Sequence, residues 1–214
     1  MSTLKRAPRE CGSWYWDLYD TAAPGLESAL SVAARMCDVL TLLELLTPID
    51  LKYSWYVLGI GPTGVTSTLE LTAPLEDPSV VGRVRGSRPT AHPAADIADI
   101  DAIGPGTWFD AVGQPRKEPQ LVNLSLSTAP TGISAELSVH HDIWGWYDFA
   151  GRPHPEVHRN NAPRLTAALG ELATLLDAPP KPGEPTYFGT STPKGLATPD
   201  AYEDGLGPDL TSRL

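Results

Sequence analysis

The sequence predicts an α+β fold: one antiparallel sheet of about five strands, with two main helices packed on one face. Three observations predict it. Strand-like runs come in pairs joined by short turn segments. Two long stretches carry apolar residues at helical spacing. Strands and helices do not alternate as they do in a parallel nucleotide-binding sheet.

Residues 1–12 are polar, basic and unpatterned, and read as a mobile N-terminal arm. Ser13 to Tyr19 is dense in aromatics and reads as a strand, with Trp14, Trp16 and Leu18 on one face and Tyr15, Asp17 and Tyr19 on the other. A helix then starts between Asp20 and Pro24 and ends before Pro48. Its apolar stripe is Leu26, Leu30, Ala33, Cys37 and Leu40, and Glu27, Ser28, Ser31, Arg35, Asp38 and Glu44 lie on the polar side. Tyr53 to Ile60 and Val65 to Thr72 form a hairpin about the turn Gly61-Pro62-Thr63-Gly64. The stretch 73–119 is broken by Pro and Gly, and within it Ala94 to Ile103 reads as a short helical piece. Gln120 to Thr128 and Gly132 to His140 alternate cleanly and form a second hairpin, one face core and the other solvated. A second helix runs from about Asn161, as N-cap, to Asp177, with Leu165, Ala168, Leu169, Leu172, Leu175 and Leu176 as its stripe. The organisation is therefore the arm, a single domain over 13–178, and a Pro/Gly-rich acidic tail over 179–214 that either wraps the domain or stays mobile.

The net charge of −10 disfavours nucleic acid and anionic membrane surfaces as partners and steers towards basic ones. No segment approaches the roughly 18 apolar residues of a membrane span, and the basic N-terminal residues are not followed by an apolar signal core. Cys11 and Cys37 fit neither a disulfide framework nor a zinc site, which points to a reducing, cytoplasmic setting.

Chemistry concentrates in one connection. Between His140 and His158 stand four of the five histidines, Trp144, Trp146, Tyr147 and Phe149, the acids Asp142, Asp148 and Glu156, and Arg152. His154 and His158 have the spacing of two ligands on one helix face, but Pro153 and Pro155 interrupt it, and the intervening glutamate is misplaced for a zincin motif. Adjacent His140 and His141 point to opposite faces of a strand, so only one can join a site. No nucleophile elbow is present, and neither cysteine sits in a catalytic motif. Gly59-Ile60-Gly61-Pro62-Thr63-Gly64 looks like a phosphate loop but lies between two strands, so no helix N-terminus would meet a phosphate. Arg83, Arg85 and Arg88, isolated in an acidic chain, read as partners of nearby acids. The aromatic and acidic loop is better suited to binding a protein, since Trp, Tyr and Arg dominate interface energetics.

The run Trp146-Tyr147-Asp148-Phe149-Ala150-Gly151-Arg152-Pro153-His154-Pro155-Glu156-Val157, then Asn161-Ala162-Pro163-Arg164-Leu165, resembles a group of uncharacterised actinobacterial proteins. Pro185-Thr186-Tyr187-Phe188-Gly189 and Pro193-Lys194-Gly195-Leu196 fit it too, so the resemblance covers roughly the C-terminal third. Size, acidity and α+β order resemble the immunity proteins of bacterial polymorphic-toxin systems. This resemblance implies a cytosolic antidote that neutralises a toxin domain by direct binding, without catalysis, cofactor or metal. On the loop, Asp142, Trp144, Trp146, Tyr147, Asp148, Arg152 and Glu156 are the expected partner contacts, the acids supplying charge to a basic toxin. The alternatives are a small metal-assisted hydrolase using the His/Asp/Glu cluster of 140–158, and a scaffold that self-associates through its exposed sheet face. An enzyme would bring His141, His154 and His158 together in a pocket; a binding protein would leave them dispersed.

Overall fold

A computed structural model describes residues 4–214. Its centre is a seven-stranded sheet in which every neighbouring pair is antiparallel. The strands are β1 (Gly12–Asp17), β2 (Asp50–Val57), β3 (Gly61–Glu70), β4 (Asp96–Ile103), β7 (Val122–Ser127), β8 (Ser134–Val139) and β9 (Lys181–Pro182). Their order across the sheet is β3-β2-β4-β7-β8-β1-β9. Three helices, α1 (Leu26–Leu42), α2 (Pro78–Gly86) and α3 (Pro155–Leu176), accompany it, and two small ribbons pair β5 (Gly106–Phe109) with β6 (Pro115–Glu118) and β10 (Ser191–Thr192) with β11 (Gly195–Leu196). The predicted α+β class stands, with more strands and one more helix than the sequence indicated.

The strand parity read from β1 is realised: Trp14, Trp16 and Leu18 are buried, while Tyr15, Asp17 and Tyr19 are exposed. Inward-facing Leu124, Leu126, Leu137, Ile100 and Tyr53 continue that face across the sheet, and the α1 stripe of Leu26, Leu30, Ala33, Cys37 and Leu40 packs into the same core.

The stretch Ala94 to Ile103 is a correction. It is the central strand β4, not a helical piece. Its buried residues Ile97 and Ile100 are three apart, which imitates helical spacing. Both face inward because the β2–β4 register slips between Tyr53 and Trp55, so Ile100 opposes Tyr53 and Ile97 opposes Trp55. In the first hairpin the chain reverses at Leu58–Ile60, with Gly59 at φ 78, so the glycine-rich segment expected as the turn already belongs to β3. Helix α2 was not anticipated, yet Asp77 caps it by accepting from Ser79 N–H at 2.8 Å and Pro78 occupies its first turn. Of the three arginines there, Arg85 pairs with Glu27 at 2.7 Å, whereas Arg83 donates to the Thr72 hydroxyl and Arg88 to the Pro93 carbonyl.

The expected mobile arm is, from residue 4 onward, built into the domain; residues 1–3 lie outside those described. Ala7 N–H donates to His140 O at 2.8 Å and Cys11 N–H to Val139 O at 2.7 Å, burying both side chains. The tail wraps the domain. Beyond β9 it returns to β1, where Ser191 Oγ accepts from Ser13 N–H and the Trp14 indole donates to Thr192 O.

Candidate functional site

The connection from β8 to α3 follows from its polar contacts. Asp142–Trp144 makes one 3-10 turn, Gly145 ends it, and Asp148 Oδ1 then accepts from Ala150 N–H at 2.8 Å and Arg152 N–H at 2.9 Å to close a tight loop. Gly151 sits at φ 72, and a Cβ there would collide with the carbonyl of Gly207, which accepts no substitute for close backbone approach. Leu210 N–H donates to Phe149 O and Gly207 N–H to Gly151 O, so the tail is sewn along the loop.

Between loop and tail lies a cleft of about 190 Å³. Cys11, His141 and Asp142 line it from the core side, Trp146, Tyr147 and Phe149 from the loop, and Tyr187, Phe188 and Leu196 from the tail. Asp142 is 4% exposed; its Oδ1 accepts from Lys5 N–H at 3.2 Å, and its Oδ2 has no hydrogen-bond partner. Desolvation pushes its carboxyl up to about 6, with the Lys5 hydrogen bond and the His154 charge acting against the rise. Burial lowers His141 to about 4, keeping it neutral, and its Nδ1 is unpartnered. Burial likewise pushes the Cys11 thiol up, so it offers no thiolate nucleophile.

No known protein family, curated protein or solved structure matches the chain.

The sequence-selected residues divide sharply. Trp146, Arg152 and Glu156 are exposed, and Tyr147 and Asp148 are partly so. Trp144 is 1% exposed, so as a surface contact for a protein it is corrected, whereas Asp142, 4% exposed, is withdrawn from the outer surface and borders the cleft; the 3-10 turn directs both inward. Glu156 pairs with Arg159 at 2.9 Å, and the Asp148 carboxylate closes its own loop. The histidines have separate partners. His140 contacts Asn123 at 2.9 Å, His141 Nε2 lies 3.7 Å from Glu118, His154 contacts Gly145 O at 2.9 Å, and His158 stacks edge-on to Trp146. Among the described residues no three His, Cys, Asp or Glu side chains gather closely enough to hold a metal ion. Nor is any described helix long and apolar enough to cross a membrane.

A second candidate surface is the exposed sheet face expected from the alternating strands, whose acidic character the sequence did not announce. The outward face of the sheet carries Asp17, Glu136, Ser125, Asp101, Asp99, Lys52, Thr68 and Glu70 on registered neighbouring strands, while α1 packs towards the opposite face. Its signal, the polar half of each alternation, was legible but spread over six separate strands. Glu136 has its carboxyl raised by burial first and then by the charges of Glu10 and Asp101, so these acids repel one another.

A buried, unpaired carboxylate costs stability. Asp142 holds its proton more tightly in the folded chain than in the unfolded one, where the ordinary value is 3.8. Stability therefore falls as pH rises from about 4 to about 6 and stays reduced above that. The shift corresponds to roughly 3 kcal/mol at pH 7. Asp142→Asn is expected to raise the urea midpoint at pH 7.5 and to change it little at pH 4. A lowered midpoint at pH 7.5 would contradict this account.

Proposed function

We propose that this chain is a binding protein, an immunity-type antidote that neutralises a basic toxin domain by direct contact. The observation that carries the reading is the acidic outward face of the sheet, where Asp101 and Glu136 share a register line through Ser125, Asp99 and Glu70 stand on the same face, and Lys52 and the Asp17-paired Lys181 are the cationic strand residues beside them. Like charges held together on a rigid sheet gain most when a cationic surface arrives, which speeds association and selects basic partners. Trp146 and Tyr187, at 37% and 69% exposed, offer aromatic contacts beside the cleft as a second face. Histidines each engaged by a different partner and a protonated buried thiol give a hydrolase little to work with.

The test is capture from the native host with the tagged chain, followed by binding of the purified partner to wild type and to the Asp99→Asn/Asp101→Asn/Glu136→Gln variant. One basic protein at near-stoichiometric yield is expected, with association slowing as salt rises and the variant binding at least about tenfold more weakly. Salt-independent binding that the variant leaves intact would defeat the sheet-face reading. No specific capture would count against the antidote itself.

A further inference from the structure

We propose that the cleft between the 142–149 loop and the 186–199 segment binds an organic ammonium group, with the Asp142 carboxylate as counter-charge and the rings of Trp146, Tyr147, Phe149 and Phe188 as walls. Three features of the cleft select that chemistry.

The first is an unsatisfied acceptor. Asp142 lines the cleft, is 4% exposed, leaves Oδ2 without a hydrogen bond and joins no ion pair among the described residues. A buried carboxylate without a cation is costly, and a bound cation removes that cost. His141 adds a second acceptor. Its Nε2 lies 3.7 Å from Glu118, and in the tautomer protonated at Nε2 the unpartnered Nδ1 accepts from an N–H. Two acceptors suit a primary ammonium with several N–H donors better than a quaternary one.

The second is the wall. No lysine or arginine lines the cleft, so an anion finds no counter-charge, whereas aromatic faces attract cations. The chain already uses this attraction at the rim, where the Arg213 guanidinium lies 4.0 Å from the centroid of the Tyr187 ring. Phe149 and Phe188 meet edge to face at 5.5 Å, fixing one wall.

The third is size. About 190 Å³ falls below the roughly 300–1,000 Å³ of clefts for drug-sized ligands, so it admits a side-chain-sized head and not a nucleotide. Such a head is either a free small amine or the lysine side chain of a protein. Neither requires a toxin, so this cleft and the antidote reading stand or fall separately.

The experiment is a titration of the isotopically labelled full chain, followed by amide NMR, with n-butylammonium, the neutral isostere 1-butanol, and an acetyl-Gly-Lys-Gly-amide peptide. Butylammonium is expected to shift resonances of 142–149 and 186–190, with 1-butanol at least about tenfold weaker. Asp142→Asn, which should fold well, is expected to weaken butylammonium binding by at least about tenfold, and Trp146→Leu by several-fold. Tighter binding of the peptide than of butylammonium assigns the site to a protein lysine, and weaker binding assigns it to a free amine; either supports the ammonium pocket. Equal binding of butanol and butylammonium, no shifts at high millimolar probe, or affinity unchanged in Asp142→Asn would overturn it.

Discussion

Trp144→Ala is expected to lower folding stability by about 3–5 kcal/mol, the usual cost of deleting a buried indole. Trp144 is 1% exposed and stands among the largest fully buried side chains, so truncation leaves a cavity under the start of the 140–158 connection. For a chain with a typical reserve of about 5–15 kcal/mol, that is a large share. The urea midpoint should fall steeply at unchanged slope. Trp144→Phe provides the control. The indole N–H has no hydrogen-bond partner, so losing it leaves nothing newly unsatisfied, and the ring still fills most of the space. A Trp144→Ala variant that kept its stability but lost a protein partner would restore this residue to the surface role that its sequence context suggested.

Asn161→Ala is expected to cost about 3 kcal/mol, through hydrogen bonds rather than volume. Asn161 is fully buried in α3. Its Oδ1 accepts from Phe109 N–H at 2.9 Å, and its Nδ2 donates to Phe109 O at 2.7 Å and Val157 O at 2.8 Å. One side chain thus clamps β5 to the helix as a neighbouring strand would. Arg164 reinforces it, donating to Thr107 O at 2.7 Å and Leu43 O at 2.6 Å. Alanine orphans both main-chain groups of Phe109. Hydrogen exchange should then accelerate at the Phe109 amide well beyond the increase seen across α3. Uniform acceleration would mean that the clamp acts only through global stability.

That residue also illustrates what the sequence conceals. Asn161 followed closely by Pro163 has the composition of a helix start, yet α3 begins at Pro155 and carries Pro163 inside it. Proline is tolerated there by a helix whose apolar stripe is anchored on both sides of it, at Val157 and at Leu165 to Leu172. The hairpin of β7 and β8 and the face of β1 were legible because each alternates without interruption. The β4 strand was not, because a register slip gave it helical spacing. The loop of 140–158 was correctly singled out as chemically dense. Which of its aromatics face outward depended on one 3-10 turn that no periodicity announces. The cleft's far wall comes from 186–199, a segment without pattern, so no local reading could have joined it to Asp142.

The placement of β1 bears on how the chain acquires its structure. Among the described residues its only sheet neighbours are β8 and β9, at residues 134–139 and 181–182, and its Trp14 indole is satisfied only by Thr192. During synthesis the strand that carries two of the core tryptophans must therefore wait, unpaired, for segments made much later. Contacts of such long sequence separation slow folding and leave apolar surface available for aggregation in the interval. The β2–β3 hairpin and β4 can assemble early, whereas β1 closes the sheet only once residues 134–139 are made, and the cleft, which needs residues 186–199, forms later still.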